Sequence, residues 1–170
     1  ADVMREEIPP ISWLVKPYLA RPGVTAWFGK PKSMKSLLVL DMCLHVANGL
    51  SWLPVPPKGA GVEVNKARVV WLDLENGSRE IKRRMRAIAT ALNVGREPRQ
   101  VLTYSMPNPW PDLSKENDVS DLIARLQEID DVGLLVVDHL GQVLGAVDEN
   151  SPLVTQVMGN LRKIAETCNL

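Results

Sequence analysis

A short polar turn at residues 29–36 separates an apolar run from a long apolar segment. Three of its residues match the pattern G-x-x-x-x-G-K-[ST], in which backbone N–H groups, a lysine and a hydroxyl surround phosphates. The turn reads Gly29, Lys30, Pro31, Lys32, Ser33, Met34, Lys35 and Ser36, and the methionine stands where the pattern has its second glycine. The turn is therefore predicted to bind phosphate. The alternative is an ordinary lysine-rich surface turn between a strand and a helix.

Each residue type in this turn has a physical role in the prediction. Inward-pointing N–H groups and the positive end of the following helix attract an anion. Lys35 would reach the β- and γ-phosphates, and the Ser36 hydroxyl would ligate Mg²⁺. Gly29 would allow a sharp turn that other residues adopt only at a cost. Met34 adds a side chain but keeps its backbone donor, so binding is expected to survive.

Two apolar runs further along the chain end in carboxylates. The first ends in Asp73 and Glu75, and the second ends in Asp138. Such runs predict buried parallel strands, and ligands of open α/β sheets bind at the carboxyl ends of the strands. Glu75 is accordingly predicted to polarise the water that attacks a γ-phosphate, and Asp138 to hold Mg²⁺ beside Ser36. The alternative for Asp73 and Glu75 is that they cap the following turn.

The elements that position these residues follow from hydrophobic periodicity. Strands are predicted at residues 24–28, 67–75, 101–104 and 132–138, and helices at 35–48, 79–92, about 118–129 and from 152 onwards. Their alternation predicts an α/β fold with a mainly parallel central sheet and helices on both faces. Residues 1–23 contain four prolines and are predicted to be irregular and packed on a core domain at 24–170.

Composition limits the class of protein. A chain of 170 residues, 45% hydrophobic and 24% charged, is typical of one soluble globular domain. The 20 basic residues balance 20 acidic ones, so no global field attracts nucleic acid. Cys43 and Cys168 fall on apolar helical stripes, which favours free thiols. The sequence has neither a long apolar run nor a signal peptide, so we expect a cytoplasmic protein without membrane contact.

Two further features have two interpretations each. The helix at 79–92 carries five basic residues within eight positions, which either contact a nucleic-acid backbone or form a solvated face. His139, next to Asp138, either senses the γ-phosphate or covers the end of the strand. The acidic segment before Ser151 and Pro152 is predicted to be a helix entrance, and the alternative is that it faces a neighbouring subunit or a metal. Ser151 and Pro152 are the start signal of the helix.

Taken in order, GKPKSMKS, VVWLDLEN and LLVVDHL with a downstream DENS resemble the RecA-like P-loop ATPases. The resemblance is closest to the RepA-type hexameric replicative helicases and the AAA_25-like family, and it covers roughly residues 11–170. It implies that Lys35 and Ser36 bind phosphate and Mg²⁺, that Glu75 is the catalytic glutamate, and that Asp138 is the Walker B acid. It also implies ATP hydrolysis, a homo-oligomeric hexameric ring, and single-stranded DNA as a partner in replication or recombination.

The chain departs from the family pattern at Met34 and at its end. It stops at Leu170, where a further strand is due, so we expect a C-terminally truncated fragment. The sensor residues, a second DNA-binding loop and the arginine finger would lie beyond it. Two other functions stay open at this point. One is a nucleotide-binding regulatory module that does not hydrolyse ATP, and the other is a small-molecule phosphotransferase on the same fold.

Overall fold

The computed structural model describes residues 9–53, 59–95, 100–139 and 151–170. In chain order the elements are strands β1 (Ser12–Val15) and β2 (Leu19–Arg21), helix α1 (Lys35–Asn48), strand β3 (Arg68–Asp73), helix α2 (Ser78–Ala91), strand β4 (Val101–Ser105), helix α3 (Glu116–Gln127), strand β5 (Val132–Asp138) and helix α4 (Pro152–Cys168). The acidic residues of the predicted helix entrance, which precede Ser151, lie outside the described residues. The predicted start signal is confirmed, because Ser151 Oγ accepts a hydrogen bond from Leu153 N at 3.2 Å.

β3 lies at the centre of a three-stranded parallel sheet in the order β4–β3–β5. The registers of both ladders place Asp73, the last residue of β3, opposite Ser105 of β4 and Asp138 of β5. The runs in β3 and β5 are apolar on both faces, as strands covered by helices on both sides require. This part of the predicted sheet is confirmed. The last residues of the three strands lie side by side at the carboxyl ends of the strands.

Helices cover the two faces of this sheet. Buried residues of α1 and α2 pack with Val69 and Trp71 in one apolar cluster. Residues of α3 and α4 pack with Val70 and Leu72 in the other. Because successive side chains of a strand point to opposite faces, Asp73 lies on the same face as Val69 and Trp71. That face is the one covered by α1 and α2.

α1 begins and ends where the sequence predicts. It stops at Gly49, which has the left-handed conformation, with φ 65°, that favours glycine. Burial is confined to its later turns, because Leu37 and Leu38 are each 39% exposed. A helix that is apolar on nearly all sides is expected to be buried. The structure buries the later turns and leaves the N-terminus of α1 open to solvent.

Two predictions for the segment before α1 are wrong. Between residues 12 and 21 the chain is not irregular but forms the antiparallel pair β1–β2, joined by a turn that contains Pro17. Residues 24–28 form no strand, and Val24 and Phe28 are 40% and 89% exposed. This segment instead borders a cavity of about 310 Å³ that is also lined by β5 and α4. The division of the chain at residue 24 stays a prediction.

α2 carries its basic residues as predicted, and two of them are paired within the helix. Glu80 accepts hydrogen bonds from Arg83 Nε and Nη2, both at 2.8 Å, and from Arg84 Nε at 2.7 Å. The bonds from Arg83 and then Arg84 lower the pKa of the Glu80 carboxyl to about 2. This intrahelical pairing favours the interpretation of α2 as a solvated face over a nucleic-acid contact.

Both cysteines are free, as predicted. Cys43 is buried, Cys168 is half-buried, and burial raises the pKa of both thiols. Among the helices of the described ranges, none combines the length and apolar character needed to cross a membrane.

Gly133, near the start of β5, has no room for a side chain, because neighbouring atoms approach it closely. An added Cβ would overlap the Cβ of Ala67 and come within 3.0 Å of Arg21 Nη1. The same guanidinium donates to Asn169 O from Nε at 3.0 Å and from Nη2 at 2.6 Å, so it is not free to move aside. We expect Gly133→Ala to lower the free energy of unfolding by about 1–3 kcal/mol, the usual cost of overpacking.

The matched control for this prediction is Gly159→Ala in α4. An added Cβ there meets nothing within 4 Å. Because alanine is the better helix former, this variant should raise the free energy of unfolding by about 0.5–1 kcal/mol. Urea denaturation followed by circular dichroism measures both values. Equal effects of the two substitutions would contradict the close approach at Gly133.

Candidate functional site

The turn at residues 29–36 leads directly into α1. Ser33 N donates to Lys30 O at 3.2 Å, and Lys32 has the left-handed conformation with φ 63°. Gly29, for which the sequence suggested an unusual backbone, has no positive φ. An added Cβ at Gly29 would instead come within 3.1 Å of Ser33 Oγ and 3.6 Å of Lys35 Cδ. A larger residue at position 29 would therefore require a small shift of the Ser33 side chain.

Met34 adopts the backbone conformation that a glycine would supply at this position. Its φ of 62° and ψ of 21° lie in the left-handed region, directly before the first residue of α1. A left-handed conformation costs an L-residue about 1–2 kcal/mol. Met34 is 72% exposed, so its side chain is not packed against the rest of the protein. The methionine thus adds backbone strain at the start of α1.

The N-terminus of α1 is open to an anion. The first N–H groups of a helix have no acceptor within it, and Met34 provides no side-chain cap. The first turn has no acidic residue of its own, so the helix carries no side-chain charge there that compensates the positive end of its dipole. Lys35 Nζ donates to Gly29 O at 2.8 Å and to Lys30 O at 3.0 Å, which holds the ammonium against the turn. Exposed Lys32 adds to the positive field.

Ser36 and Asp138 are in direct contact although 102 positions separate them. Ser36 Oγ donates to Asp138 Oδ1 at 3.0 Å, which joins the first turn of α1 to the end of β5. Asp138 Oδ2 is buried and has no hydrogen-bond partner in the part of the chain that the structure describes. A hydroxyl and a carboxylate are the hard oxygen ligands that Mg²⁺ prefers. The residues present therefore fit the predicted ion, and their role as ligands stays a prediction.

Asp138 lies in surroundings that disfavour its charged form. Burial raises the pKa of its carboxyl above the ordinary value, and the hydrogen bond from Ser36 opposes this rise. The negative charges of Glu75 and Asp73 also raise the pKa. A divalent cation would reverse this balance. Within the described ranges no group of three or more His, Cys, Asp or Glu side chains is arranged to hold a metal. An ion at Ser36 and Asp138 would thus take its other ligands from water and phosphate, as Mg²⁺ commonly does.

Glu75 lies just beyond the end of β3, at the same edge of the sheet as Asp138. Its Oε2 is 4.0 Å from His139 Nδ1, and the two side chains are 56% and 50% exposed. The backbone between Asp73 and Glu75 is tied to β5, because Leu74 N donates to Asp138 O at 2.8 Å. The Glu75 carboxylate is therefore accessible to solvent water and lies at the same edge of the sheet as the buried Asp138.

For Asp73 the alternative prediction holds, because it caps the turn after β3. The residue is fully buried. Its Oδ1 accepts hydrogen bonds from Glu75 N at 3.3 Å, from Asn76 N at 2.9 Å and from Asn76 Nδ2 at 3.3 Å. From the sequence, Asp73 has no predicted function beyond this cap. The available signal was an aspartate two positions before a glutamate at the end of an apolar run.

Comparison with known proteins gave a match over the whole chain. A family model described as an AAA domain (AAA_25) matches residues 1–170. A search of curated proteins found no match. The three-stranded parallel sheet with its four described helices is compatible with the P-loop NTPase fold that such a family implies.

Proposed function

Because this chain belongs to the AAA-domain family, we propose that it binds Mg·ATP at residues 29–36 and hydrolyses the γ-phosphate. The observation that carries the proposal is the 3.0 Å hydrogen bond from Ser36 Oγ to Asp138 Oδ1. This bond joins the phosphate-type turn to the aspartate at the end of β5, which an ordinary surface turn would not require. The family itself supports a nucleotide-binding, ATPase-type module, and hydrolysis by these residues is our proposal.

Phosphate binding would rely on the backbone and on one lysine. The unpaired N–H groups and the dipole of α1 attract the phosphate oxygens without any side-chain movement. Lys35 Nζ lies against the turn, within reach of an oxygen bound there. The exposed Lys30 and Lys32 increase the local positive potential.

Ser36 and Asp138 would hold Mg²⁺, which when bound neutralises charge on the phosphate oxygens. Glu75 would accept a proton from water at its exposed carboxylate while the water oxygen forms a bond to the γ-phosphorus. The bond between that phosphorus and the bridging oxygen breaks, and ADP and phosphate leave. The proton then passes from Glu75 to solvent. The buried acid and the exposed acid would thus divide metal binding and water activation between them.

We also propose that the protein works as a ring-forming motor on single-stranded DNA. This part is supported by the ordered resemblance of its motifs to the RepA-type helicases. The DNA would be held by phosphate contacts without sequence readout. Because Arg83 and Arg84 are paired with Glu80, we expect those contacts on a part of the protein other than α2.

The test is ATP hydrolysis measured with single-stranded DNA, with duplex DNA of the same sequence, and without DNA. We expect severalfold stimulation by the single strand alone. Hydrolysis that ignores DNA would reject the motor and favour transfer of phosphate to another acceptor. Tight ATP binding without turnover under all three conditions would identify a regulatory module.

The orientation of Met34 leads to a prediction about affinity. We expect Met34→Gly to change the dissociation constant of Mg·ATP by less than about threefold, because the backbone donor and the left-handed conformation are both kept. Met34→Val should weaken binding more, since β-branched side chains strongly disfavour a positive φ. Isothermal titration calorimetry compares the two variants. A large gain in affinity with glycine would show that the methionine side chain obstructs the site.

A further inference from the structure

The last residues of the three parallel strands form a polar row. Asp73 lies between Ser105 and Asp138 in the registers of the two ladders. Each of the three carries a buried oxygen that has no hydrogen-bond partner among the residues described, namely Ser105 Oγ, Asp73 Oδ2 and Asp138 Oδ2. Burying a carboxylate is costly unless its contacts compensate. The fully buried Asp73 at the centre of this row therefore needs a physical reason.

The reason lies in its other oxygen. Asp73 Oδ1 accepts from three donors, two on the backbone at Glu75 and Asn76 and one on the Asn76 side chain, at 2.9–3.3 Å. Aspartate side chains commonly stabilise a turn in this way. Because Asp73 belongs to a strand paired on both sides, the turn that it holds is attached to the central strand of the sheet.

The same strand also fixes the distance to Asp138. Leu74 N donates to Asp138 O at 2.8 Å, so the contact between β3 and β5 continues one residue beyond the end of β3. Asp138 is in turn held by Ser36 at 3.0 Å. The Glu75 side chain is 56% exposed, and its position depends on the backbone that carries it.

We infer that Asp73 is a positioning residue, which holds the Glu75 carboxylate at the separation from Asp138 that attack by water requires. The inference rests on the proposed function of Glu75. It predicts that the acceptor oxygen of Asp73, and not its negative charge, positions Glu75. Asp73→Asn keeps an oxygen that can accept the hydrogen bonds of the turn. Asp73→Leu keeps a side chain of similar size but has no acceptor.

In steady-state kinetics we expect Asp73→Leu to lower kcat at least about tenfold, since small displacements of a reacting group have effects of this size or larger. The KM for ATP should stay within about threefold, because the phosphate-binding turn is untouched. Asp73→Asn should stay within about threefold of the wild type in both constants. Equal losses of kcat in the two variants, or a rise in KM that matches the loss of kcat, would overturn the inference.

A second readout does not depend on turnover. Hydrogen exchange of the Asn76 backbone amide, followed by NMR, should be slow in the wild type and in Asp73→Asn, and faster in Asp73→Leu. Equal exchange in all three proteins would overturn the inference even if the enzyme is active. Turnover retained by Glu75→Gln would instead reject the proposed function, while the exchange rates would still test the turn. If Asp73→Leu does not fold, Asp73→Ala, which also lacks the acceptor, should lower kcat at constant KM, and an unchanged kcat would overturn the inference.

Discussion

Lys35→Ala is expected to weaken Mg·ATP binding by roughly 30- to 150-fold, which corresponds to about 2–3 kcal/mol, the contribution of hydrogen bonds to a charged group. The ammonium is held against the turn by Gly29 O and Lys30 O, next to the open N-terminus of α1. Its removal takes away the charge without changing the backbone. Isothermal titration calorimetry gives the dissociation constants, and circular dichroism shows whether the helices are kept.

The matched control is Lys30→Ala in the same turn. The Lys30 side chain is exposed, whereas its backbone carbonyl, which accepts from Lys35, remains in the variant. We expect a loss of less than about threefold, because an exposed charge acts only through the screened field. If both variants lose affinity equally, the turn binds anions through its general positive charge and Lys35 has no specific role.

Glu75→Gln is expected to lower kcat about a hundredfold or more, the usual contribution of a general base, while ATP binding stays within about threefold. The amide keeps the size of the side chain but cannot take a proton from water. Pre-steady-state measurements of phosphate release, beside a binding titration, separate the two effects.

Glu63→Gln serves as the control for Glu75→Gln. Glu63 is an exposed carboxylate, 4.0 Å from Lys16 and on the segment that follows α1. Its substitution should leave both kcat and affinity unchanged. A Glu75→Gln variant that still turns over at the wild-type rate would remove Glu75 from the mechanism, and His139, 4.0 Å away, would be the next residue to test.

The sequence predicted the parallel strands because their signal is physically simple. A strand covered on both faces must be apolar at successive positions, and the run before Asp138 has this property over the whole of β5. The bounds of α1 were equally clear, since Gly49 stops the helix and the phosphate-type turn starts it. Both signals are local, so they need no knowledge of the rest of the chain.

Residues 24–28 show where such local signals fail. Their apolar character predicts a strand, but a strand also needs a partner for its backbone, and composition does not show whether one is in place. β1 and β2 escape prediction for the opposite reason. Several prolines predict an irregular chain, whereas Pro17 lies in the turn of a hairpin, a position where proline is favoured.

At the candidate site the spacing of motifs predicted which residues meet, and the structure brings Ser36 and Asp138 together. The spacing did not predict how the backbone accommodates Met34, or which donors the buried oxygen of Asp73 would find. Both depend on φ, ψ and hydrogen-bond geometry within a few residues. Those details are set by tertiary packing and leave no periodic pattern in the sequence.

The two carbonyl contacts of Lys35 also limit what can replace it. An ammonium has three N–H donors in a tetrahedral arrangement, and Gly29 O and Lys30 O occupy two of them. One donor is left for a further acceptor. A guanidinium is flat and longer, so its donors cannot reproduce this tetrahedral arrangement. The position therefore selects the shape of the cation as well as its charge.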